Sequence, residues 1–203
     1  MIVLARYLLW RLVLALTGGL VVTGVLPSGP CVVVANHSSH ADTPALLAAL
    51  GARRSVAVAA AADHWFARPL RSIACRLLVG GFPVRRDGGG GADLTAASWI
   101  LLSGGIVVVY PEGTRSRGGD LGHFHSGAAR LAAHAGVPMI PAAVSGTRSL
   151  CPPDGGPRRR RRVRVRFGTP LDTTADPRVV AERSRSAVAT LLAGPAASTA
   201  RPR

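Results

Sequence analysis

The sequence contains no lysine and few aromatic residues, and each shortage narrows what the protein can be. All 25 cationic side chains of the 203-residue chain are arginines, and Phe, Trp and Tyr make up only 4% of it. The apolar fraction is nevertheless 48%, which excludes a disordered chain and is enough for one domain with a buried core. The net charge of +15 favours anionic partners such as phospholipid head groups, acyl thioesters or nucleic acid.

Cysteines and long apolar runs are also scarce. Cys31, Cys75 and Cys151 are too few and too widely spaced for a disulfide framework or a zinc site. We therefore predict no metal site, and a reducing, cytosol-facing setting. The apolar run over residues 12–16 is too short for a transmembrane helix, which needs about 20 apolar residues.

The first 16 residues are apolar apart from Arg6 and Arg11, and three structures fit them. They fit a signal peptide, a helix packed on the core, or a helix in the membrane interface with its arginines and Trp10 among the head groups. No small-x-small cleavage site follows, so we favour an interfacial helix over residues 1–18. This predicts a peripheral or monotopic protein at the cytoplasmic face of the cell membrane.

Strand-like and helix-like patterns alternate along the rest of the chain. This alternation predicts an α/β fold in which helices flank one central sheet, largely parallel or mixed. We place this single domain at residues 19–193, before a disordered tail over 194–203. The predicted strands cover residues 20–25, 31–35, 55–61, 80–86, 106–110, 137–144 and 163–167, and the predicted helices cover 45–50, 65–78, 93–102, 126–135 and 176–192.

Single residue types decide three details of that pattern. Pro138 and Pro141 interrupt the strand at 137–144, which predicts a position at a sheet edge or in a bulge. Asp93 is predicted to cap the helix that follows it. The glycines over 87–91 lack the lysine and the flanking elements of a phosphate-binding loop, so they predict a flexible surface loop.

The segment Asn36-His37-Ser38-Ser39-His40-Ala41-Asp42 links a buried strand to a helix. Ligands of α/β sheets bind at the carboxyl ends of strands, so a His with a nearby carboxylate there indicates catalysis. In a continuous helix these two side chains would lie roughly 140° apart, so they meet only if His37 lies in the turn and Asp42 in the first helical turn. The alternative is an ordinary helix entry, with Asp42 as a cap and His37 in the loop.

A second charged cluster follows the strand at 106–110. Glu112-Gly113-Thr114-Arg115 offers a guanidinium group, a hydroxyl and flexible backbone N–H groups, which together suit the binding of a phosphate. The alternative is a solvated loop in which a Glu–Arg pair contributes little.

Four blocks of the chain resemble the glycerolipid acyltransferases of the 1-acylglycerol-3-phosphate acyltransferase type, in the order that this family has them. They are residues 37–42, 81–86, 110–116 and 137–141, within a resemblance that spans residues 20–170. The chain departs from the family at Tyr110, where Phe is usual, and at His125, where Lys is common.

The resemblance implies acyl transfer from an acyl thioester, on coenzyme A or acyl carrier protein, to the hydroxyl of a lysophospholipid. With 1-acylglycerol 3-phosphate the product is phosphatidic acid. His37 would be the general base and Asp42 would orient it. The acceptor's phosphate would be bound by Arg86, Glu112, Gly113, Thr114, Arg115 and Ser116. No metal and no cofactor beyond the thioester co-substrate are implied.

Two other functions stay open. The same chemistry can serve a lyso-aminolipid, a glycolipid or glycerol 3-phosphate as the acceptor. Alternatively, the chain is a non-catalytic basic module that binds membranes or nucleic acid through the five arginines at 158–162. That tract has no stacking aromatics, so we expect it to contact anionic lipid and no specific nucleic acid.

Overall fold

The computed structural model describes residues 1–116, 120–151 and 161–194, and all seven predicted strands are present in one sheet. The strands are β1 (Leu20–Thr23), β2 (Cys31–Ala35), β3 (Val56–Ala61), β4 (Gly81–Val84), β5 (Ile106–Val109), β6 (Met139–Ser145) and β7 (Val163–Phe167). Their order is β1-β7-β6-β2-β5-β3-β4, and every pair is parallel except β6 with β7. The predicted α/β class with a largely parallel sheet is confirmed.

Helices cover both faces of this sheet. They are α1 (Ile2–Thr17), α2 (Asp42–Leu50), α3 (Ala62–Trp65), α4 (Pro69–Ala74), α5 (Gly90–Ala96), α6 (Ser98–Leu102), α7 (Gly127–Ala135), α8 (Thr147–Leu150) and α9 (Pro177–Ala193), and a π-helical turn covers Cys75–Val79. The apolar cluster on one face includes α1 and α2, and the cluster on the other includes α5, α6, α7 and α9.

Strand β2 lies in the middle of the sheet, between β6 and β5, and all five of its residues are buried. Val33 belongs to the apolar cluster that contains Leu46 of α2, and Val34 to the cluster that contains Leu131 of α7. A continuous apolar run of this kind is what a parallel strand covered on both faces requires. The residues that follow β2 therefore start from one of the most rigid points in the fold.

Strand β6 is an inner strand, so the predicted edge position is wrong. It runs parallel to β2 on one side and antiparallel to β7 on the other. Pro141 lies between the isolated Met139–Leu171 bridge and the regular ladder that begins at Ala142 opposite Phe167. A proline is tolerated here because the pairing with β7 is interrupted where its missing N–H would have been needed.

Two of the predicted helices are each divided in two. In the first, α3 ends at Trp65, and α4 starts at Pro69 and continues into the π-helical turn. In the second, α5 ends at Ala96 and α6 begins at Ser98.

Asp93 does not cap a helix as predicted, because α5 already begins at Gly90, inside the segment predicted as a flexible loop. The Asp93 carboxylate instead accepts hydrogen bonds from the backbone N–H and the guanidinium of Arg85. This pairing links α5 to the residue that directly follows β4.

Helix α1 combines features of two of its predicted structures. Leu14 is buried in the core cluster, and α1 packs on α2. Arg6 and Trp10 donate hydrogen bonds to the carbonyl oxygens of residues 76–78 in the π-helical turn, so they do not extend from the protein as an interfacial helix predicts. The opposite side of α1 exposes Leu4, Leu8, Leu12 and Leu16. No helix within the described ranges is long and apolar enough to cross a bilayer.

Some predictions fall on residues that the structure does not describe. These are the tail over 195–203 and three of the five clustered arginines, at 158–160. The division of the chain at residues 18 and 193 stays a prediction.

Candidate active site

The loop after β2 brings His37 and Asp42 together. His37 lies in the turn, Asp42 is the first residue of α2, and the His37 Nδ1 to Asp42 Oδ2 distance is 3.0 Å. This is the arrangement that the five-residue spacing demands if the two side chains are to meet. The pair stands at the carboxyl end of the central strand of the sheet.

Asp42 is fully buried, and four donors surround its carboxylate. Besides His37, Oδ2 accepts hydrogen bonds from the backbone N–H groups of Ser38 at 2.7 Å and Ser39 at 2.8 Å. The other oxygen, Oδ1, accepts a 2.6 Å bond from the hydroxyl of Thr147 at the start of α8. Burying a carboxylate is unfavourable unless such donors replace water, so this turn is built to hold Asp42 in one orientation.

Ser39 makes a second contact between α8 and the turn that holds Asp42. The Ser39 hydroxyl lies within hydrogen-bond distance of two carbonyl oxygens, those of Thr147 at 3.3 Å and Cys151 at 3.0 Å. Ser39 is 1% exposed and Thr147 is also 1% exposed, so water does not compete for these bonds.

The loop after β5 holds the His37 backbone on both sides. The His37 N–H donates to Glu112 Oε1 at 2.9 Å, and the His37 carbonyl oxygen accepts from the Ser116 N–H at 2.8 Å and the Ser116 hydroxyl at 3.1 Å. The second Glu112 oxygen accepts from the Gly122 N–H at 3.0 Å. Glu112 and Ser116 are therefore directed at His37.

The ring of Tyr110 lies against the imidazole of His37. The ring centroids are 4.1 Å apart and the planes differ by 18°, which is a stacked geometry. The Tyr110 hydroxyl and Thr43 Oγ1 are 2.9 Å apart, and this bond anchors the tyrosine to α2. Burial, with the nearby charge of Asp42, raises the pKa of Tyr110 well above its ordinary value, so its hydroxyl stays protonated.

The side chain of Asn36 pairs with the backbone of β6 just beyond the end of β2. Its side-chain amide donates to the Val144 carbonyl at 3.0 Å and accepts from the Val144 N–H at 2.8 Å. The side chain thus replaces backbone pairing with β6, and the main chain is released to turn toward His37.

A cavity of about 710 Å³ opens beside His37. No described residue bonds the His37 Nε2 atom, and the imidazole forms part of the cavity wall. Part of the lining is apolar and includes Trp10, Val58, Ala60, Cys75, Leu78 and Val79. Arginines and glycines also line the cavity, and no Asp or Glu appears among the described residues that do so.

The residues predicted to bind the acceptor fall into two groups. Gly113, Thr114, Arg115 and Arg86 line the cavity, whereas Glu112 and Ser116 do not. The Arg86 guanidinium pairs with the carboxylate of Asp63. The structure therefore brings four of the six predicted residues to the same space as His37.

His40 also lines the cavity, with its ring edge-on to that of Trp65. Partial burial and the positive charge of Arg115 lower the pKa of His40, so its ring is neutral at pH 7. In the described part of the chain, no three His, Cys, Asp or Glu side chains converge as a metal site would need.

Comparison with known proteins relates this site to one family. Residues 20–145 match the family described as Acyltransferase. The chain is 34% identical over 131 residues to the chloroplastic 1-acyl-sn-glycerol-3-phosphate acyltransferase BAT2 of Brassica napus. It is 30% identical over 128 residues to a probable 1-acyl-sn-glycerol-3-phosphate acyltransferase of Mycoplasma pneumoniae. These matches cover 63% and 60% of this chain but 37% and 47% of the relatives, so the chain spans less than half the length of either.

The fold has a counterpart among solved structures. It resembles the crystal structure of PlsC, the 1-acyl-sn-glycerophosphate (LPA) acyltransferase from Thermotoga maritima, with a TM-score of 0.75. The similarity covers 98% of this chain and 81% of that chain at 21% sequence identity, so it establishes the fold.

Proposed function

This chain belongs to the acyltransferase family, and we propose that it transfers an acyl group from an acyl thioester to the free hydroxyl of a lysophospholipid. We take 1-acylglycerol 3-phosphate as the acceptor, which gives phosphatidic acid. One observation carries the proposal: His37 is fixed through Nδ1 by the buried Asp42, and its imidazole lines the cavity with an Nε2 atom that no described residue bonds. The names of the relatives in Brassica napus and Mycoplasma pneumoniae support the same choice of acceptor.

In the proposed reaction His37 acts as a general base. An uncharged hydroxyl is a poor nucleophile, so His37 Nε2 takes its proton as the oxygen attacks the thioester carbonyl carbon. The carbon–sulfur bond then breaks, and the leaving thiolate receives the proton from the imidazolium. Asp42 fixes the tautomer that presents Nε2 and stabilises the positive charge while the proton is held.

The walls of the cavity suggest how the two substrates lie. The apolar lining residues, such as Trp10, Leu78 and Val79, suit an acyl chain. The polar and cationic lining residues Gly113, Thr114, Arg115 and Arg86 suit the acceptor's phosphate. In this proposal Glu112 and Ser116 position His37 and do not bind the acceptor. Glu112 Oε1 and the Ser116 hydroxyl are bonded to the His37 backbone, and Glu112 Oε2 is bonded to the Gly122 N–H.

We also propose that α1 attaches the protein to the cytoplasmic face of the membrane. The stripe of Leu4, Leu8, Leu12 and Leu16 is 52–64% exposed, and an apolar stripe with the exposed Arg11 beside it suits an anionic lipid surface. In flotation with phosphatidylglycerol-containing liposomes, changing both Leu8 and Leu12 to Glu should release the protein. The control is Leu102→Glu, which alters a leucine away from α1 that is 76% exposed. Equal binding of both variants would contradict the proposal.

The direct test of the function is product formation. The purified protein is incubated with acyl-CoA or acyl carrier protein carrying the same chain, and with 1-acylglycerol 3-phosphate, a lyso-aminolipid, a lysoglycolipid or glycerol 3-phosphate. Mass spectrometry of the lipids should show diacylglycerol 3-phosphate as the main product. A different acylated product would change the assigned acceptor, and no acylated product with any pair would overturn the proposal.

A further inference from the structure

The charges around the cavity are unevenly compensated. Four of the described arginines line it, and two of them are paired with carboxylates that do not line the cavity. Arg85 makes a two-pronged contact with Asp93, with an Nε–Oδ2 distance of 3.0 Å and an Nη2–Oδ1 distance of 2.8 Å. Arg86 is paired with Asp63. The charge that these two offer to a ligand is therefore reduced before any ligand arrives.

The other two cavity arginines, Arg115 and Arg130, have no carboxylate partner among the residues that the structure describes. The described lining also contains no acidic side chain, so no described lining residue offsets the charge of these two arginines. Arg115 lies in the loop after β5, and Arg130 lies in α7. The two residues thus reach the cavity from different elements of the fold.

The position of Arg130 in its helix is electrostatically unfavourable. Ser126 is the N-cap of α7, so Arg130 belongs to the helix's first turns, where the backbone dipole presents positive charge. No acidic residue occupies the first turn of α7 to offset it. An anion bound in the cavity would be attracted both to Arg130 and to the positive end of the α7 dipole. Residues that are unfavourable for local structure, as Arg130 is here, are expected at functional sites.

The wall beside Arg130 leaves the backbone open to a ligand. Gly127 lies so close to α5 that a Cβ there would be 2.9 Å from Leu94 Cδ1. Gly91, next to it, has no neighbouring atom within 4 Å of where its Cβ would stand, and both glycines line the cavity. An anion can therefore approach the main chain at Gly91, whereas the Leu94 side chain fills the space beside Gly127.

We infer that Arg130, together with Arg115, binds the phosphate monoester of the acceptor and selects for it over an uncharged acceptor. This inference rests on the proposed function and adds a residue that lies outside the four sequence blocks. A phosphate monoester has three terminal oxygens and close to two negative charges at pH 7, so two guanidinium groups can bind it from two sides. An uncharged head group would leave the two arginines without a counter-charge.

The test compares Arg130→Ala and Arg130→Lys with Arg178→Ala. Arg178 is an exposed arginine in the first turn of α9 and does not line the cavity, so it controls for the loss of one charge near a helix N-terminus. Arg130→Ala should raise the KM for 1-acylglycerol 3-phosphate about 10- to 100-fold, as loss of a charge-assisted hydrogen bond predicts. Arg130→Lys should recover part of this loss. The KM values for acyl-CoA and for uncharged 1-acylglycerol should stay near wild type.

A second measurement separates failure of the inference from failure of the proposed function. Calorimetric titration of the full chain with inorganic phosphate requires no turnover. Weaker binding in Arg130→Ala than in Arg178→Ala supports the site whatever the acceptor is. Equal phosphate binding in the two variants overturns the inference, as does a KM increase for acyl-CoA without one for the acceptor. No transfer to any acceptor, with phosphate binding still dependent on Arg130, overturns the proposed function alone.

Discussion

The hydroxyl of Thr147 donates a 2.6 Å hydrogen bond to the carboxylate oxygen of Asp42 that does not contact His37. Thr147 begins α8, immediately beyond β6, whereas Asp42 begins α2, and 105 positions separate them in the chain. The carboxylate is thus fixed from both sides, by the turn after β2 and by the end of the neighbouring strand. We expect this bond to keep Oδ2 directed at His37.

Thr147→Val should therefore lower kcat. Valine keeps the shape of threonine but leaves a buried acceptor unsatisfied, a cost of about 1–3 kcal/mol that corresponds to roughly 5- to 150-fold if the productive orientation is lost. The KM values of both substrates should change little, since Thr147 does not line the cavity. Thr147→Ser retains the donor and should keep most of the activity. Equal kcat values for the valine and serine variants would argue against a positioning role.

Glu112→Gln distinguishes positioning of His37 from binding of the acceptor. Both Glu112 oxygens accept backbone N–H groups, and a glutamine would direct its own NH₂ group at one of these donors. We expect a lower kcat with an unchanged acceptor KM. Asp120→Asn, an exposed carboxylate in the same loop, is the control and should behave as wild type. A rise in acceptor KM without loss of kcat would show that Glu112 binds the acceptor and does not position His37.

Asp63→Asn should tighten acceptor binding. The hydrogen bond from Arg86 lowers the pKa of Asp63, so the pair is ionised at pH 7, and the carboxylate competes with a phosphate for the same guanidinium. Exposed ion pairs are weak, so the acceptor KM should fall by no more than about fivefold. Asp87→Asn removes the same charge from the adjoining loop and should leave the KM unchanged. A KM that rises in Asp63→Asn would mean that Asp63 orients Arg86 for binding.

Local patterns in the sequence predicted most of the fold. The Val-rich runs predicted β2 and β5, and the helix predicted over 126–135 is observed as α7. The spacing of His37 and Asp42 allowed contact in only one kind of turn, and that turn is present. Each of these features depends on residues within a few positions of one another. The spacing of apolar residues and the identity of turn-forming residues were therefore sufficient to predict them.

The features that were mispredicted depend on distant parts of the chain. Pro138 and Pro141 indicated an edge or a bulge, but β6 is an inner strand, and it tolerates Pro141 because pairing with β7 is interrupted at that point. Asp93 indicated a helix cap, but Arg85 from the preceding strand end takes its carboxylate. The bonds from Glu112 and Thr147 to the His37–Asp42 turn join elements 75 and 105 positions apart, and no local signal marks such contacts.

The central claim is that His37 is the general base, and single-turnover or steady-state kinetics of His37→Ala test it most directly. The matched control is His134→Ala, which removes an exposed histidine of α7 that does not line the cavity. We predict a loss in kcat of about 100-fold or more for His37→Ala, the usual contribution of a positioned base, and wild-type activity for His134→Ala. A His37→Ala enzyme that forms diacyl product at the wild-type rate would contradict the account.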